Sequence, residues 1–600
     1  MAAGGDALAN GYDHGRVLRP RRQKSAAAST AAIAATARHG DAHPGHPGPS
    51  RPAESPPPST PASGRSTPPE NAPPSAKSLA SARKHARAAE QSRRLFPTVE
   101  FASRLSHFDP LSDHRDFHGF FNLFWVGLAV MGITTMLRNM KDTGYPLRIQ
   151  IWSLFTVKLW HLAAADLAMV ASSLVGLPLH RVFRRAPPGG RLTWARGGVA
   201  VQSVYQALWL ALWIAVPFAL DWTWTAQVFL LLHTMVMLMK MHSYAFYNGH
   251  LSETEKRLRA LDSPSAASDR RPAYAYPPAN PGRRRSGGGG GGGGGDMDDD
   301  MDDGDMMNNN NNNNSNNNST TTTTTTTATP PDDIQRLREA LARELISPMG
   351  NLTYPGNLTW PNYLDYLFCP TLCYELEYPR TPRTNWAALA SKIVATFGCI
   401  FLLTVVSEEF ILPVLVDASR RLAALPAAGP GPGPAAEPLL ILAETVSWLL
   451  FPFMLIFLLV FLVIFEYVLG AFAELTRFAD RHFYADWWNS TDWMEFSREW
   501  NIPVYSFLRR HVYGASRPHT GKLLATLITF LTSAVMHEVV MACISKKIRG
   551  YGFVCQMLQL PIVMLQRTRF IRTRNTLNNV CFWCSMILGL SMMCALYVLV

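Results

Sequence analysis

Apolar residues in this chain come in blocks. FHGFFNLFWVGLAVMGITTML fills 117–137, and further runs lie at 151–177, 198–220, 222–239, 387–416, 439–470, 522–545, 551–566 and 579–600. Each is long, nearly free of charge, and without the period-2 alternation of a strand. The pattern predicts an all-α polytopic membrane protein with about nine transmembrane helices, one of which could be split or re-entrant. The second run carries Lys158, His161 and Asp166, so it is expected to face the bundle interior, because charge facing lipid is costly. A tight turn near Asp221 separates the third run from the fourth.

The polar stretches between these blocks are of another kind. Residues 1–95 are rich in Ala, Pro, Ser and His, and 251–331 hold a Gly run (Gly287–Gly295), an Asn run from Asn308 and a Thr run (Thr320–Thr327). Neither composition can bury a core. Four regions follow: a disordered basic and Pro-rich tail (1–95), a first part of the membrane domain (96–250), a low-complexity insertion (251–331), and a second part carrying the chemistry (332–600).

Composition adds orientation. The formal charge is +12, and much of the excess lies in Arg19–Arg22 and Arg83–Arg94. Positive charge stays on the cytosolic side, so the N-terminus is expected there, and alternation then makes 240–386 and 471–520 cytosolic. Lys546, Lys547 and Arg549 fall on the lumenal side and run against the rule. The sequons at Asn351 and Asn357 come out cytosolic and unmodified. Only Tyr12 is aromatic before Phe96, which argues against a nucleic-acid partner. No basic-then-apolar leader opens the chain, so the first span is expected to act as the targeting signal. Among eight cysteines, Cys581 and Cys584 form a C-x-x-C with no second pair, too few ligands for zinc. A Cys369–Cys373 disulfide would be unusual in a cytosolic loop.

Two segments carry chemistry. Along GKLLATLITFLTSAVMHEVVMACIS (521–545), Thr526, Thr529, Ser533 and His537 fall within about 80° of one another on a helix. Glu538 lies about 100° away. The stripe reads either as helix–helix hydrogen bonding or as a proton-accepting His lining an intramembrane cavity. The other segment is FYADWWNS, with Phe483, Tyr484, Asp486, Trp487, Trp488 and Asn489. By itself this is a dense interfacial aromatic belt. REWNIPVY follows, with Arg498, Asn501 and Tyr505.

FYADWWN resembles the FYxDWWN signature of the membrane-bound O-acyltransferase superfamily, in the branch of sterol and diacylglycerol O-acyltransferases. The downstream WN and SAVMHE match that branch in order and spacing. MKMHSYAFYNGHL (239–251), LFCPTLCYELEYPRT (367–381) and FVCQMLQLP (553–561) resemble the fungal sterol acyltransferases, and the resemblance covers about 115–250 and 335–600.

The resemblance implies His537 and Asn501 as catalytic residues. It implies contacts to acyl-CoA from Arg498, Tyr513, Lys522 and Ser533, and places Gln559 on the acceptor pocket. Tyr505 stands where relatives commonly have His. It further implies an intramembrane catalytic chamber, residence in the endoplasmic reticulum, a dimer or tetramer, and transfer from long-chain acyl-CoA to a membrane sterol such as ergosterol. No cofactor or metal is required. Arg498, Arg509, Arg510 and Arg517 would meet the polyanionic coenzyme A. Diacylglycerol as acceptor is the alternative on the same scaffold. A transporter or non-catalytic scaffold could use the same His stripe, though no inverted repeat of broken spans is visible.

Overall fold

The computed structural model describes residues 97–109, 118–146, 158–187, 189–220, 222–262, 274, 330–425, 436–568, 571 and 573–600. The tail 1–95, the Gly, Asn and Thr runs of the insertion, and Asp221 lie outside the described residues. Within them every regular element is helical, and β pairing is confined to isolated bridges such as Arg104 with Asp480.

Among the described residues, eight helical segments are long and apolar enough to cross a membrane: Gly119–Thr143, Leu159–Arg185, Trp194–Ala219, Thr225–Leu261, Trp386–Ala423, Glu437–Leu475, Lys522–Ser545 and Asn575–Leu599. The remaining apolar run forms a shorter helix, Tyr551–Gln566. Its 16 residues rise about 24 Å, less than the ~30 Å hydrocarbon core. Each of the nine runs is therefore helical among its described residues, and one falls short of a full crossing.

The second span differs from its expected course. Its helix begins at Leu159, and Lys158 lies outside it with φ 58°. His161 is exposed. Asp166 is paired across the bundle, its Oδ1 lying 2.6 Å from Nδ1 of His233 on the fourth span.

The fourth helix runs past 250 to Leu261, into the region expected to be linker. It is held there by packing. Leu251 and Leu258 are fully buried, and Arg184 donates to both oxygens of Glu255 at 3.0 Å. Tyr274, also from that region, is buried and donates its hydroxyl to the Tyr354 carbonyl. Gly249 has a local reason: a Cβ there would sit 2.1 Å from the Trp194 indole.

Two of the three segments resembling fungal sterol acyltransferases, 239–251 and 367–381, meet one another. Lys240 Nζ donates to the carbonyls of Tyr366, Cys369 and Thr371 at 3.1, 2.7 and 2.8 Å. The Tyr374 N–H donates to Ser243 Oγ at 2.9 Å. Asn357 is fully buried and its amide donates to Asn248 Oδ1 (2.7 Å) and the Tyr374 hydroxyl (3.0 Å). Both of its N–H bonds are in use, so this sequon cannot carry a glycan without dismantling the joint. Around it pack Tyr244, Tyr247, Tyr363, Tyr366 and Tyr378. Cys369 and Cys373 are free and buried here, and burial pushes their thiols up to about 12 and about 11.

The fifth and sixth spans each contain a π-helical turn, Ser407–Ile411 and Leu462–Val468. The second presents buried Glu466, which accepts from Ser106 Oγ (2.5 Å), the Tyr484 hydroxyl (3.2 Å) and Lys392 Nζ (3.1 Å). A buried carboxylate needs this many donors. Glu466 thereby ties the segment before the first span, the fifth span and the FYADWWN loop to one point.

Candidate active site

The FYADWWN motif is not an interfacial belt. Phe483, Tyr484 and Trp487 are buried. The Trp487 ring lies 4.9 Å from Trp500, 5.0 Å from Phe461 and 5.6 Å from Trp583. Such pairs add about 0.5–1.5 kcal/mol each beyond burial. The Trp488 carbonyl accepts from Asn579 Nδ2 (3.0 Å) and Trp583 Nε1 (3.2 Å) of the last span. Asp486 pairs with His107 Nε2 at 3.0 Å, and Asn489 is exposed. The motif therefore acts as a wedge. Its backbone also grips the next segment: Ala485 N–H donates to Glu499 O and Ile502 N–H to Phe483 O.

Asn501 sits at that grip. It caps the helix Ile502–Phe507, its Oδ1 accepting from Val504 N–H at 3.1 Å. That commits its oxygen, while its Nδ2 donates to nothing among the described residues. The cap joins two arms. One arm, Trp493–Glu499, packs on Tyr551–Gln566, and the other continues through Leu508–Tyr513 onto Lys522–Ser545. These are the helices that carry Gln559 and His537.

His537 is exposed, and its Nδ1 lies 2.8 Å from the Ser533 carbonyl. A carbonyl only accepts, so Nδ1 carries a proton, and in the neutral imidazole the lone pair is then on Nε2, the tautomer a general base needs. Ser533 Oγ accepts from Gln556 Nε2 (3.4 Å), and Gln556 Oε1 from Gln559 Nε2 (3.1 Å). His537, Ser533 and Gln559 are thus brought together along one polar track. Gln556, three residues before Gln559, is its missing link. That one-turn spacing was its signal in the sequence.

Glu538 has another task. Its carboxylate accepts from the backbone N–H groups of Arg549 (3.3 Å), Gly550 (2.7 Å) and Phe553 (3.1 Å), and from the Tyr597 hydroxyl (2.8 Å). An acid at a helix N-terminus satisfies its orphan donors. Glu538 is therefore the helix-to-helix tie, while the hydrogen bonds of His537 beside it stay within its own helix among the described residues.

The arginines divide. Arg498 and Arg509 are exposed and Arg517 is half-buried. Arg510 cannot meet a coenzyme A phosphate as the sequence led us to expect. It is buried, donates to Glu375 Oε1 (2.9 Å) and Tyr374 O (3.1 Å), and lies over the Tyr247 ring. Next to it, His511 holds Ser243 Oγ at 2.9 Å. Burial, with Arg510 and His242 beside it, pushes His511 down to about 2. Tyr505 and Tyr513 are half-buried, eight residues apart after Asn501, and Lys522 is exposed at the start of the His537 helix. No hydrogen bond joins Arg498, Tyr505 or Tyr513 to His537 among the described residues.

Glu499, two residues before Asn501, is half-buried. Burial first, then Glu495 and Asp486, push its carboxyl up to about 7, with Arg498 opposing. A folded-state value above the ordinary 4.5 means that stability is lost as pH rises from the ordinary carboxylate range through about 7. Wild-type Tm is expected to fall across that window. Glu499→Gln should flatten the dependence, and thermal unfolding at a series of pH values checks this.

The membrane-bound O-acyltransferase family matches residues 200–599 of this chain. The chain is 37% identical to "Probable sterol O-acyltransferase 2" of Schizosaccharomyces pombe, over 81% of this chain and 87% of that protein. It is 31% identical to "Sterol O-acyltransferase 2" of Candida albicans, over 80% and 75%. "Diacylglycerol O-acyltransferase 1" of Dictyostelium discoideum is 30% identical, but over only 42% of this chain and 39% of its own length.

Proposed function

This chain belongs to the membrane-bound O-acyltransferase family, and from that premise we propose that it is an acyl-CoA:sterol O-acyltransferase forming steryl esters. Likeness to sterol O-acyltransferases runs over four-fifths of the chain, whereas likeness to the diacylglycerol enzyme covers less than half. The observation that carries the chemistry is the Nδ1 bond of His537 to Ser533 O, which leaves Nε2 as a base.

The reaction follows from these groups. His537 Nε2 takes the proton of the sterol 3-hydroxyl as its oxygen attacks the thioester carbon, a contribution of roughly 10²–10⁴-fold. Negative charge gathers on the former carbonyl oxygen, where the Asn501 amide N–H can donate. Collapse expels coenzyme A thiolate, which recovers the proton from His537. The buried, protonated Cys369 and Cys373 do not suit a covalent acyl-enzyme. Proton transfer and one amide donor suffice, so the reading requires no cofactor. Ser533, Gln556 and Gln559 form the polar end of an otherwise apolar wall, which suits one hydroxyl on a large apolar body. Arg498, Arg509, Tyr513 and Lys522 lie on the segment we assign to coenzyme A.

We place the protein in the endoplasmic reticulum membrane with a cytosolic N-terminus, as a dimer or tetramer. Competition in one detergent system tests the acceptor. With labelled oleoyl-CoA and equal sterol and diacylglycerol, steryl ester should form at a rate well above triacylglycerol. Dominant triacylglycerol would move the chain to the diacylglycerol branch and leave the mechanism standing.

A further inference from the structure

The second and third spans meet the membrane surface through RVFRRAPPGGRLTWAR (181–196), which has five arginines and no acid. Three are used inside the protein. Arg181 donates to Leu358 O (3.1 and 2.7 Å), Arg184 pairs with Glu255, and Arg196 Nη1 donates to Gly189 O (2.5 Å). The guanidinium groups of Arg185 and Arg191 are exposed and make no hydrogen bond or ion pair among the described residues.

Those two guanidiniums flank a notch of about 450 Å³ walled by Val182, Ala186, Pro187 and Leu192. The acids contacting this region are on the fourth helix and are taken. Glu255 is held by Arg184 and Arg259, and Glu253 by Lys256. The notch is therefore positive as well as apolar.

Its depth follows from its charge. The apolar helix Leu159–Ser173 ends at a turn over Leu174 and Val175, and the separate ten-residue helix Gly176–Arg185 carries Arg181, Arg184 and Arg185. Charges facing lipid are costly in the hydrocarbon core, so this second helix lies at headgroup level. Val182 and Leu192 remain 49% exposed there. A small hydrophilic anion would leave these walls wet. An amphiphile would cover them while its phosphate met both guanidiniums, a geometry to which arginine is suited.

We propose that this notch binds an anionic glycerophospholipid of the surrounding bilayer, its phosphate between Arg185 and Arg191 and the top of an acyl chain against Val182 and Leu192. The site is separate from the acyl-transfer residues, and the proposal holds whichever acceptor the enzyme uses.

The test uses the full chain extracted from nanodiscs of phosphatidylcholine with a minor fraction of phosphatidylinositol. Retained lipid is read by native mass spectrometry, and Tm is read in parallel. Wild type should retain phosphatidylinositol preferentially and gain Tm from it. Arg185→Gln/Arg191→Gln should lose that preference by roughly 25-fold, since each cation at an anionic surface is worth about fivefold. Activity and Tm in pure phosphatidylcholine should be unchanged. Should the double variant fold poorly, Arg191→Glu alone must still reduce retention. Equal retention by wild type and variants would overturn the proposal. So would protection by soluble glycerophosphoinositol equal to that by the lipid, which would mark a site for free anions.

Discussion

His537→Ala is expected to abolish ester formation while leaving the protein folded. The side chain is exposed, and among the described residues its hydrogen bonds lie within its own helix, to Ser533. Removing it therefore orphans no buried partner, and yield, assembly and Tm should match wild type. What disappears is the base. Turnover should fall by roughly 10²–10⁴-fold, the range of general base catalysis. Purified variant and wild type are compared with labelled oleoyl-CoA and saturating sterol. A variant keeping more than a tenth of the wild-type rate would remove His537 from the reaction. A variant that failed to assemble would instead give it the structural role assigned here to Glu538.

Asn501→Asp should separate two functions that one side chain combines. The carboxylate can still accept from Val504 N–H, since Asp caps helices as well as Asn does, so the helix Ile502–Phe507 keeps its start. It cannot donate. If the amide stabilises the developing oxyanion, turnover falls by roughly 10²–10³-fold, or about 2.7–4 kcal/mol, at nearly unchanged Tm. Asn501→Ala loses the cap as well, and should lower stability by about 1 kcal/mol in addition. Parallel rate and melting measurements on the two variants decide. An active Asn501→Asp would make the residue a cap and nothing more.

What could be read from the sequence was what depends on short range. The described residues of all nine apolar runs are helical, because the length and apolarity of a run are local properties. The stripe on Lys522–Ser545 was legible for the same reason: Ser533 and His537 are one turn apart. Partner choice was not legible. Arg510 is one arginine among four in its loop, and nothing local distinguishes the one whose partner, Glu375, lies 135 residues away. The aromatics of FYADWWN suit a lipid interface and a protein core equally. Only the arrival of Phe461, Trp500 and Trp583 decides that Trp487 is buried. Of the segments resembling fungal sterol acyltransferases, two supply scaffold, since Lys240, Ser243 and Tyr374 build a joint between elements. The third, FVCQMLQLP, supplies Gln556 and Gln559 to the His537 track, and nothing local in the three distinguishes these tasks.

The short helix Tyr551–Gln566 has a consequence for the membrane itself. It is flanked by Lys546, Lys547 and Arg549 at one end and by Arg567 and Arg574 at the other. Cations at both ends prevent it from relieving its deficit by sliding. The remaining options are a dimple in the bilayer or side chains that reach outward, and each ångström of hydrophobic mismatch costs a fraction of a kcal/mol. This helix, unlike the eight longer segments, is thus matched to a thin bilayer and mismatched to a thick one. Sterol-rich membranes are the thicker ones. An enzyme that withdraws free sterol into esters would, by its own turnover, relax the elastic load on the helix that carries Gln556 and Gln559.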